Sequence, residues 1–553
     1  MIRAAPDPPL SPVAQPSGTL TIDGRSGPAA LGVTLFDCAA ALGVSVPTSC
    51  VKQGKCRECL VEIEAGAELL TPPAPEERHL EGRFRLACRT VVAGAGEVRA
   101  HTLRRGALRI ETESAGLDER RARLDPAVTR DGRFVLLDGV PLVEAEGPLH
   151  GIALDVGTTT VALRLFDLEH GRLVATHSFE NPQRFGGSDV MARIHYDGEH
   201  GGRLLQRTLL GYLGRAIGEL PVDPATIYEL VVAGNPTMRD LFFGLDVQPI
   251  GVMPYRSTTE AALLEGLVET TSVSVSARRL RLPLHPLARV LGLPLVASHV
   301  GADAAACLLA TGIAEQDGVT ALLDIGTNTE AFLGSRDRLL AASCPAGPAF
   351  EGGGVRCGMP ALEGAVEHVH LLEAGAVRLA VIGGGAPAGL CGSGLVDLLS
   401  ELRRTGRLNA QGRLMDDTHA FELGQGLSFS EADVNELAQA KGANAAGLCV
   451  LAETYGIPLQ GIERLYLAGG FARHIDVDAA RRIGLVPDLP SERIVKIGNA
   501  SLLGASLALL SRSRRAELEL LVRRIEHVRL ETHASFFEHF VEGCQFQPFG
   551  RAA

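Results

Sequence analysis

Leu154-Asp155-Val156-Gly157-Thr158-Thr159-Thr160-Val161-Ala162 returns 169 residues later as Leu323-Asp324-Ile325-Gly326-Thr327-Asn328-Thr329-Glu330-Ala331, with six of nine positions identical. Each copy follows an apolar run, Ile152 to Leu154 and Val319 to Leu323, and precedes another. Each Asp should therefore end one strand, and each Gly-Thr should form a hairpin turn. Two such hairpins facing one another place backbone N–H and hydroxyl donors on a triphosphate, while the two carboxylates hold Mg2+ through water. One Asp-x-Gly-Thr alone is a weak signal. Its repetition at domain-sized spacing predicts two duplicated α/β lobes with a nucleotide between them.

A third stretch fits the same picture. Leu465-Tyr466-Leu467-Ala468-Gly469-Gly470-Phe471-Ala472 reads as a buried strand running into a glycine pair, where backbone without Cβ can lie against an adenine or ribose. Together the three motifs resemble, in this order, the two phosphate motifs and the adenosine motif of the acetate and sugar kinase, heat-shock chaperone and actin superfamily. The resemblance covers residues 151 to about 510 and implies duplicated RNase H-like α/β lobes that bind ATP. A competing signal, Gly383-Gly384-Gly385-Ala386-Pro387-Ala388, formally matches the dinucleotide fingerprint G-x-G-x-x-A. It sits inside the second lobe, and Gly392-Ser393-Gly394 interrupts the helix that should follow, so it reads as a turn approaching the ATP cleft. No G-x4-G-K-[ST] occurs, which excludes a P-loop ATPase.

The N-terminal part carries a different chemistry. Cys50-x5-Cys56-x2-Cys59, with Cys88 after 28 more residues, lets three thiolates on one loop and a fourth from a later strand surround two iron atoms. The turn Gln53-Gly54-Lys55 lets that loop wrap closely enough for backbone N–H groups to point at the sulfurs. A zinc ribbon would present two C-x2-C knuckles, and only one is here. Thr19 to Asp23 alternates as a strand, Thr34 to Leu42 reads as a helix, and strand patterns resume at Val61 to Ile63 and at Arg85 to Val92. This order resembles 2Fe-2S ferredoxins of the plant and adrenodoxin type, a β-grasp fold, over residues 18 to 100. The x5 spacing is nearer the adrenodoxin loop. The other cysteines, at 38, 307, 344, 357, 391, 449 and 544, show no ligand spacing and read as buried small side chains.

Composition bounds the rest. Lys and Arg number 53 against 65 Asp and Glu, a net charge of −12, which disfavours nucleic acid as a partner. No apolar run is long enough for a membrane span, and prolines with Asp7 break any leader-like segment, so the protein should be cytoplasmic. The expected organisation is a disordered arm (1–17), a ferredoxin domain (18–100) and a charged linker with a small strand pair (101–150). A first actin-like lobe (151–317), a second (318–510) and a C-terminal helix with a docked aromatic tail (511–553) follow.

A 2Fe-2S ferredoxin domain fused to an actin-like ATPase resembles the reductive activators of corrinoid proteins. Further stretches carry the same likeness: Asn181-Pro182-Gln183, Gly187-Ser188-Asp189-Val190, Gly234-Asn235-Pro236-Thr237-Met238, Val300-Gly301-Ala302-Asp303, Pro345 to Gly352, Cys391-Gly392-Ser393-Gly394 and Ala440-Lys441-Gly442-Ala443. The chain departs from that pattern at Pro236 and Thr329. The resemblance implies an ATP-hydrolysing activator whose cluster reduces the cob(II)amide of a corrinoid protein in a methyltransferase system to cob(I)amide. That step lies below ordinary ferredoxin potentials, and each ~59 mV uphill costs about 1.4 kcal/mol, so ATP has work to do. It further implies an external low-potential donor, either reduced ferredoxin or a flavin reductase, and leaves room for a homodimer.

Residue by residue, the resemblance gives Cys50, Cys56, Cys59 and Cys88 to the cluster and Asp155 and Asp324 to Mg2+. Gly157, Thr158, Thr159, Gly326, Thr327 and Asn328 fall to the phosphates, and Gly469 and Gly470 to the nucleoside. Glu330 and Asp189 are candidates for positioning the attacking water, beside the plainer reading of solvated acids at a cleft edge. Two rivals remain at this point: an ATP-dependent activator of another low-potential enzyme, and a redox-sensing actin-like kinase or binding protein.

Overall fold

The computed structural model describes residues 16–46, 48, 50, 52–54, 58–103, 123–372, 376–415 and 419–550. They group into two compact units. The first runs to residue 105 and takes in Pro182–Gly186 and Arg207–Tyr212; the second comprises the remainder.

The first unit is a five-stranded sheet in the order Arg25–Ala30, Pro16–Ile22, Glu97–Thr102, Leu60–Ala65, Phe84–Leu86. Its central pair, Pro16–Ile22 with Glu97–Thr102, is parallel, and the outer pairings are antiparallel. This is the β-grasp arrangement. Helix Leu35–Ala41 begins where expected, because Thr34 Oγ1 accepts from the Asp37 N–H and caps it. Leu35, Cys38 and Ala39 form its buried face. The strand expected over Arg85 to Val92 stops at Leu86. Beyond it the chain turns, with the Arg89 and Thr90 N–H groups both bonded to the Leu86 carbonyl.

The second unit contains two sheets of one topology. The first has the order Arg172–Glu180, Thr160–Asp167, His150–Val156, Ile227–Gly234, Arg289–Gly292, Val273–Ser276. The second runs Glu526–His527, Leu339–Cys344, Thr329–Gly334, Thr320–Ile325, Arg464–Ala468, Ile494–Gly498. In each, an antiparallel three-stranded meander is followed by two strands parallel to its first strand. The duplication read from the sequence repeat is thus a duplication of fold. Thr160–Asp167 and Ile227–Gly234 are buried along their whole length, one face packing on helices Ala302–Thr311 and Ala500–Leu510.

The segment read as a linker is folded where it is described. Val128–Asp131, Phe134–Leu137 and Val140–Glu144 form a three-stranded meander rather than a strand pair. Val128 and Val135 are buried against Phe166, Leu509 and Leu518, and the Asp125 carboxylate accepts from the Ser511 and Ser513 hydroxyls. Few apolar residues suffice because this core is shared with helix Ala500–Leu510, through Leu507, Leu509 and Leu510, and with Leu518 of helix Arg512–Val522. Phe536, Phe540, Phe546 and Phe549 pack on the second lobe as a docked tail, while Phe537 stays exposed. Lys441, fully buried, donates to the Gly543 and Gln545 carbonyls and pins that tail down. Among the described residues no helix is long and apolar enough to cross a membrane.

Candidate functional site

The repeat forms hairpins as expected, but in two registers. Val156 pairs with Val161 around a four-residue turn, whereas Ile325 pairs with Thr329 around three residues. Asp324 therefore lies opposite Glu330, while Asp155 lies opposite Ala162. One residue of slip exchanges faces. It turns Glu330 toward the cleft and sends its sequence counterpart, Val161, into the core.

Both turns line a single cavity of about 120 Å3. Its wall contains Asp155, Gly157, Thr158, Thr159, Asp324, Gly326, Thr327, Asn328, Glu330, Gly469 and Gly470. It also contains Asn235, Asp303, Glu351, Asn499 and Ser501, to which the sequence reading gave no role. Asp303 and Glu351 did fall within two of the family-like stretches; Asn499 and Ser501 carried no signal, since each is an ordinary residue at a helix start. Asp189 is elsewhere. It caps helix Val190–Glu199, its Oδ1 accepting from the Ala192 N–H at 2.9 Å, and it does not line the cavity. The triple glycine is displaced too. Gly384 and Gly385 border a separate cavity of about 430 Å3 with Leu379, Pro387 and Leu423, because positive φ at Gly383 and Gly384 reverses the chain after strand Val377–Val381.

Five carboxylates, Asp155, Asp303, Asp324, Glu330 and Glu351, meet in this cavity, and among the described residues no Lys or Arg lines it. Burial pushes Asp155 up, opposed by hydrogen bonds from Asn499 Nδ2 and Ser501 Oγ, both at 2.8 Å. Asp324 is pushed up to about 6, first by burial and then by the charges of Asp155 and Glu351. The Cys307 thiol donates to Asp324, Sγ to Oδ2 3.3 Å, and works in the opposite direction. Burial, then Asp324 and Asp155, pushes Asp303 up, and burial with Asp303 and Asp324 does the same to Glu330. Such a cluster cannot be fully ionised without a cation, and oxygen-only donors suit a hard divalent one.

The first turn is held from behind. The Gly157 carbonyl accepts from Asn181 Nδ2 at 2.8 Å, the Thr158 carbonyl from Arg193 Nη2 at 2.7 Å, and the Thr159 carbonyl from the Asn181 N–H at 2.7 Å. With its carbonyls bonded outward, the turn is fixed as a donor surface. Gly469, in the cavity wall, also serves the second turn. A Cβ there would lie 2.2 Å from the Ile325 carbonyl, so glycine permits strand Arg464–Ala468 to approach the hairpin.

In the first unit, Cys59 Sγ and Cys88 Sγ lie 3.3 Å apart and buried, and Cys50 is partly buried. Cys56 lies outside the described residues. The Cys88 thiol is held below its usual range chiefly by the hydrogen bond from Cys59, with the Gly54 N–H and Arg89 assisting against burial and the charge of Cys50. That N–H contact is the one expected of the Gln53-Gly54-Lys55 turn. Adjacent buried thiols, with Cys88 biased toward thiolate, fit the ligand set of an iron–sulfur cluster.

Comparison with known proteins agrees with this geometry. Residues 20–93 match the 2Fe-2S iron-sulfur cluster binding domain, residues 150–316 the RACo middle region, and residues 318–551 the C-terminal domain of RACo, the ASKHA domain. The chain is 32% identical over 443 residues to the corrinoid activation enzyme RamQ of Eubacterium limosum, covering 74% of this chain and 72% of that one. The chain belongs to the corrinoid reductive-activator family. Another member, the [Co(II) methylated amine-specific corrinoid protein] reductase of Methanosarcina barkeri, is 26% identical over 423 residues, 70% of this chain and 75% of that one. A solved structure of the family, a reductive activator for corrinoid, iron-sulfur protein, is 28% identical with a TM-score of 0.69, covering 96% of this chain and 98% of that one. The family carries a 2Fe-2S ferredoxin domain and an actin-like ATP-binding domain, as this chain does.

Proposed function

We propose that this protein is an ATP-dependent reductive activator, returning the cob(II)amide of a corrinoid protein to cob(I)amide. The observation that carries the reading is the presence, in one family member, of a paired-thiol site in a β-grasp unit and a carboxylate-lined cleft formed by two phosphate hairpins. When bound, the 2Fe-2S cluster supplies a one-electron carrier, held by Cys50, Cys59 and Cys88 with Cys56 as fourth ligand. A carrier of one electron needs refilling after each transfer, so an external low-potential donor belongs to the reading.

In the cleft, Asp155 and Asp324 organise Mg2+, with Asp303 and Glu330 close enough in charge to share it. Thr158, Thr159, Thr327 and Asn328 receive the phosphates, and Glu330 is retained over Asp189 for orienting water. Binding of ATP favours the form that engages the corrinoid partner, and that difference in affinity is the means by which nucleotide assists an uphill transfer.

The test is spectroscopic. Reduced full-length protein, a cob(II)amide protein and Mg-ATP should give the cob(I) absorbance under a donor no stronger than the ferredoxin itself. Equal cob(I) formation without ATP would leave a simple electron carrier.

A further inference from the structure

Between the tips of the two hairpins sits a carboxylate that belongs to neither. Glu351 closes the short turn Ala349–Glu351. Its Oε2 accepts from Thr159 Oγ1 at 2.9 Å and from Thr327 Oγ1 at 2.8 Å. The Thr327 N–H bonds the same carboxylate, and its Oε1 faces Gly326. Two hydroxyls and a backbone N–H, drawn from both hairpins onto one anionic group, are the donors a terminal phosphate would use. With no basic side chain among the described residues lining the cavity, a phosphate there depends on such neutral donors.

We infer that Glu351 competes with phosphate for Thr159 and Thr327, so that nucleotide binding breaks a carboxylate clasp joining the two hairpins. The inference rests on the ATP reading above and names the side chain that the nucleotide displaces. A threonine hydroxyl has one proton to donate, so neither can serve Glu351 and a phosphate oxygen at once. The two anions also repel, which adds to the cost of sharing the space. Phe350, next in the chain, is buried in the core of the second lobe. The turn is therefore anchored, and it is the Glu351 side chain that yields. The clasp makes release of the hairpins conditional on a ligand carrying phosphate, which is what a nucleotide-driven activator requires of its cleft.

Calorimetric titration of the full-length, cluster-containing protein with Mg2+ and a non-hydrolysable ATP analogue tests this. Glu351→Gln keeps the shape and removes the charge; its Kd should fall about tenfold, within the ~5- to 150-fold range of typical couplings. Glu351→Asp, one methylene shorter, should move the same way by less, and decides the matter if the Gln variant loses its iron–sulfur spectrum or its circular dichroism. Unchanged or weaker binding in the folded variants overturns the clasp. Unchanged binding with lost hydrolysis overturns it as well and makes Glu351 a base. Wild-type protein that binds no Mg-nucleotide would sink the ATP reading and the clasp together, whereas normal wild-type binding with no gain in the variants sinks the clasp alone.

Discussion

The two hairpins share six of nine residues and end up in different chemical situations. In the first, Asp155 receives an amide and a hydroxyl donor from the start of helix Ala500–Leu510, and the turn behind it is bonded through three successive carbonyls. In the second, Asp324 has a thiol for its side-chain donor and stands among Asp303, Glu330 and Glu351. The first hairpin is a rigid platform; the second is an electrostatically loaded one, whose carboxylates gain most from a cation. A duplicated sequence therefore encodes a division of labour. What differs is the register of each hairpin, the backing of its turn and the helix that each aspartate faces.

Removing either aspartate should have the largest effect. Asp155→Ala and Asp324→Ala should each lower ATP hydrolysis by about 10²- to 10³-fold, the scale of losing a group preorganised for charge in the transition state. The visible iron–sulfur spectrum should persist, since the cysteines lie in the other unit. The comparison adds a distinction: raising Mg2+ should recover part of the activity of an Asp155→Asn variant and little of Asp324→Asn. Equal recovery in both would mean that the asymmetry of their surroundings has no functional weight.

A smaller effect should come from the scaffold behind the first hairpin. Arg193 is fully buried and also bonds the Gly187 carbonyl. Arg193→Met fills much of the space but leaves the Thr158 carbonyl without that donor, at a cost of about 1–3 kcal/mol for an unsatisfied buried group. Chemical denaturation should show the loss, and Mg-nucleotide should restore part of it by binding the native cleft. Unaltered stability together with unaltered KM for ATP would show that the turn needs no such backing.

Much of this was legible in sequence because it is local. Hairpins at Asp-x-Gly-Thr, the helix after Thr34 and the docked aromatic tail follow from neighbours in the chain. Asp303 and Glu351 were not assigned, since their place in the cleft depends on packing between segments far apart in the chain. Asp189 misled for a related reason: an acid after Gly-Ser reads equally well as a cleft residue or as a helix cap, and only the turn that follows decides. The meander over Val128–Glu144 was hidden because its few apolar residues are buried in a core shared with segments far along the chain, helix Ala500–Leu510 and Leu518 among them. The one-residue register difference was invisible for the opposite reason, being smaller than any pattern the repeat could carry.

The finest discrimination lies at Cys307. Its thiol lowers the affinity of Asp324 for a proton, whereas burial and the neighbouring acids raise it. Asp324 must be ionised to hold a cation, so hydrolysis should fall as pH drops toward the proton affinity of this carboxylate. In the absence of metal that lies at about 6, and bound Mg2+ moves it lower. Cys307→Ala removes the donor, raises the proton affinity, and should move this acid limb to higher pH. A weak donor is worth about 0.5 kcal/mol, so activity on the limb should drop about twofold while the plateau at higher pH holds. Cys307→Ser is the sharper probe. A hydroxyl is the stronger donor but sits on a shorter bond, so it must move closer to reach Asp324 Oδ2. If it does, the limb shifts below the wild-type position and the second aspartate comes to resemble the first. A limb that stays in place in both variants would mean that the thiol contact contributes nothing, leaving Asp324 governed by its acidic neighbours and its cation alone.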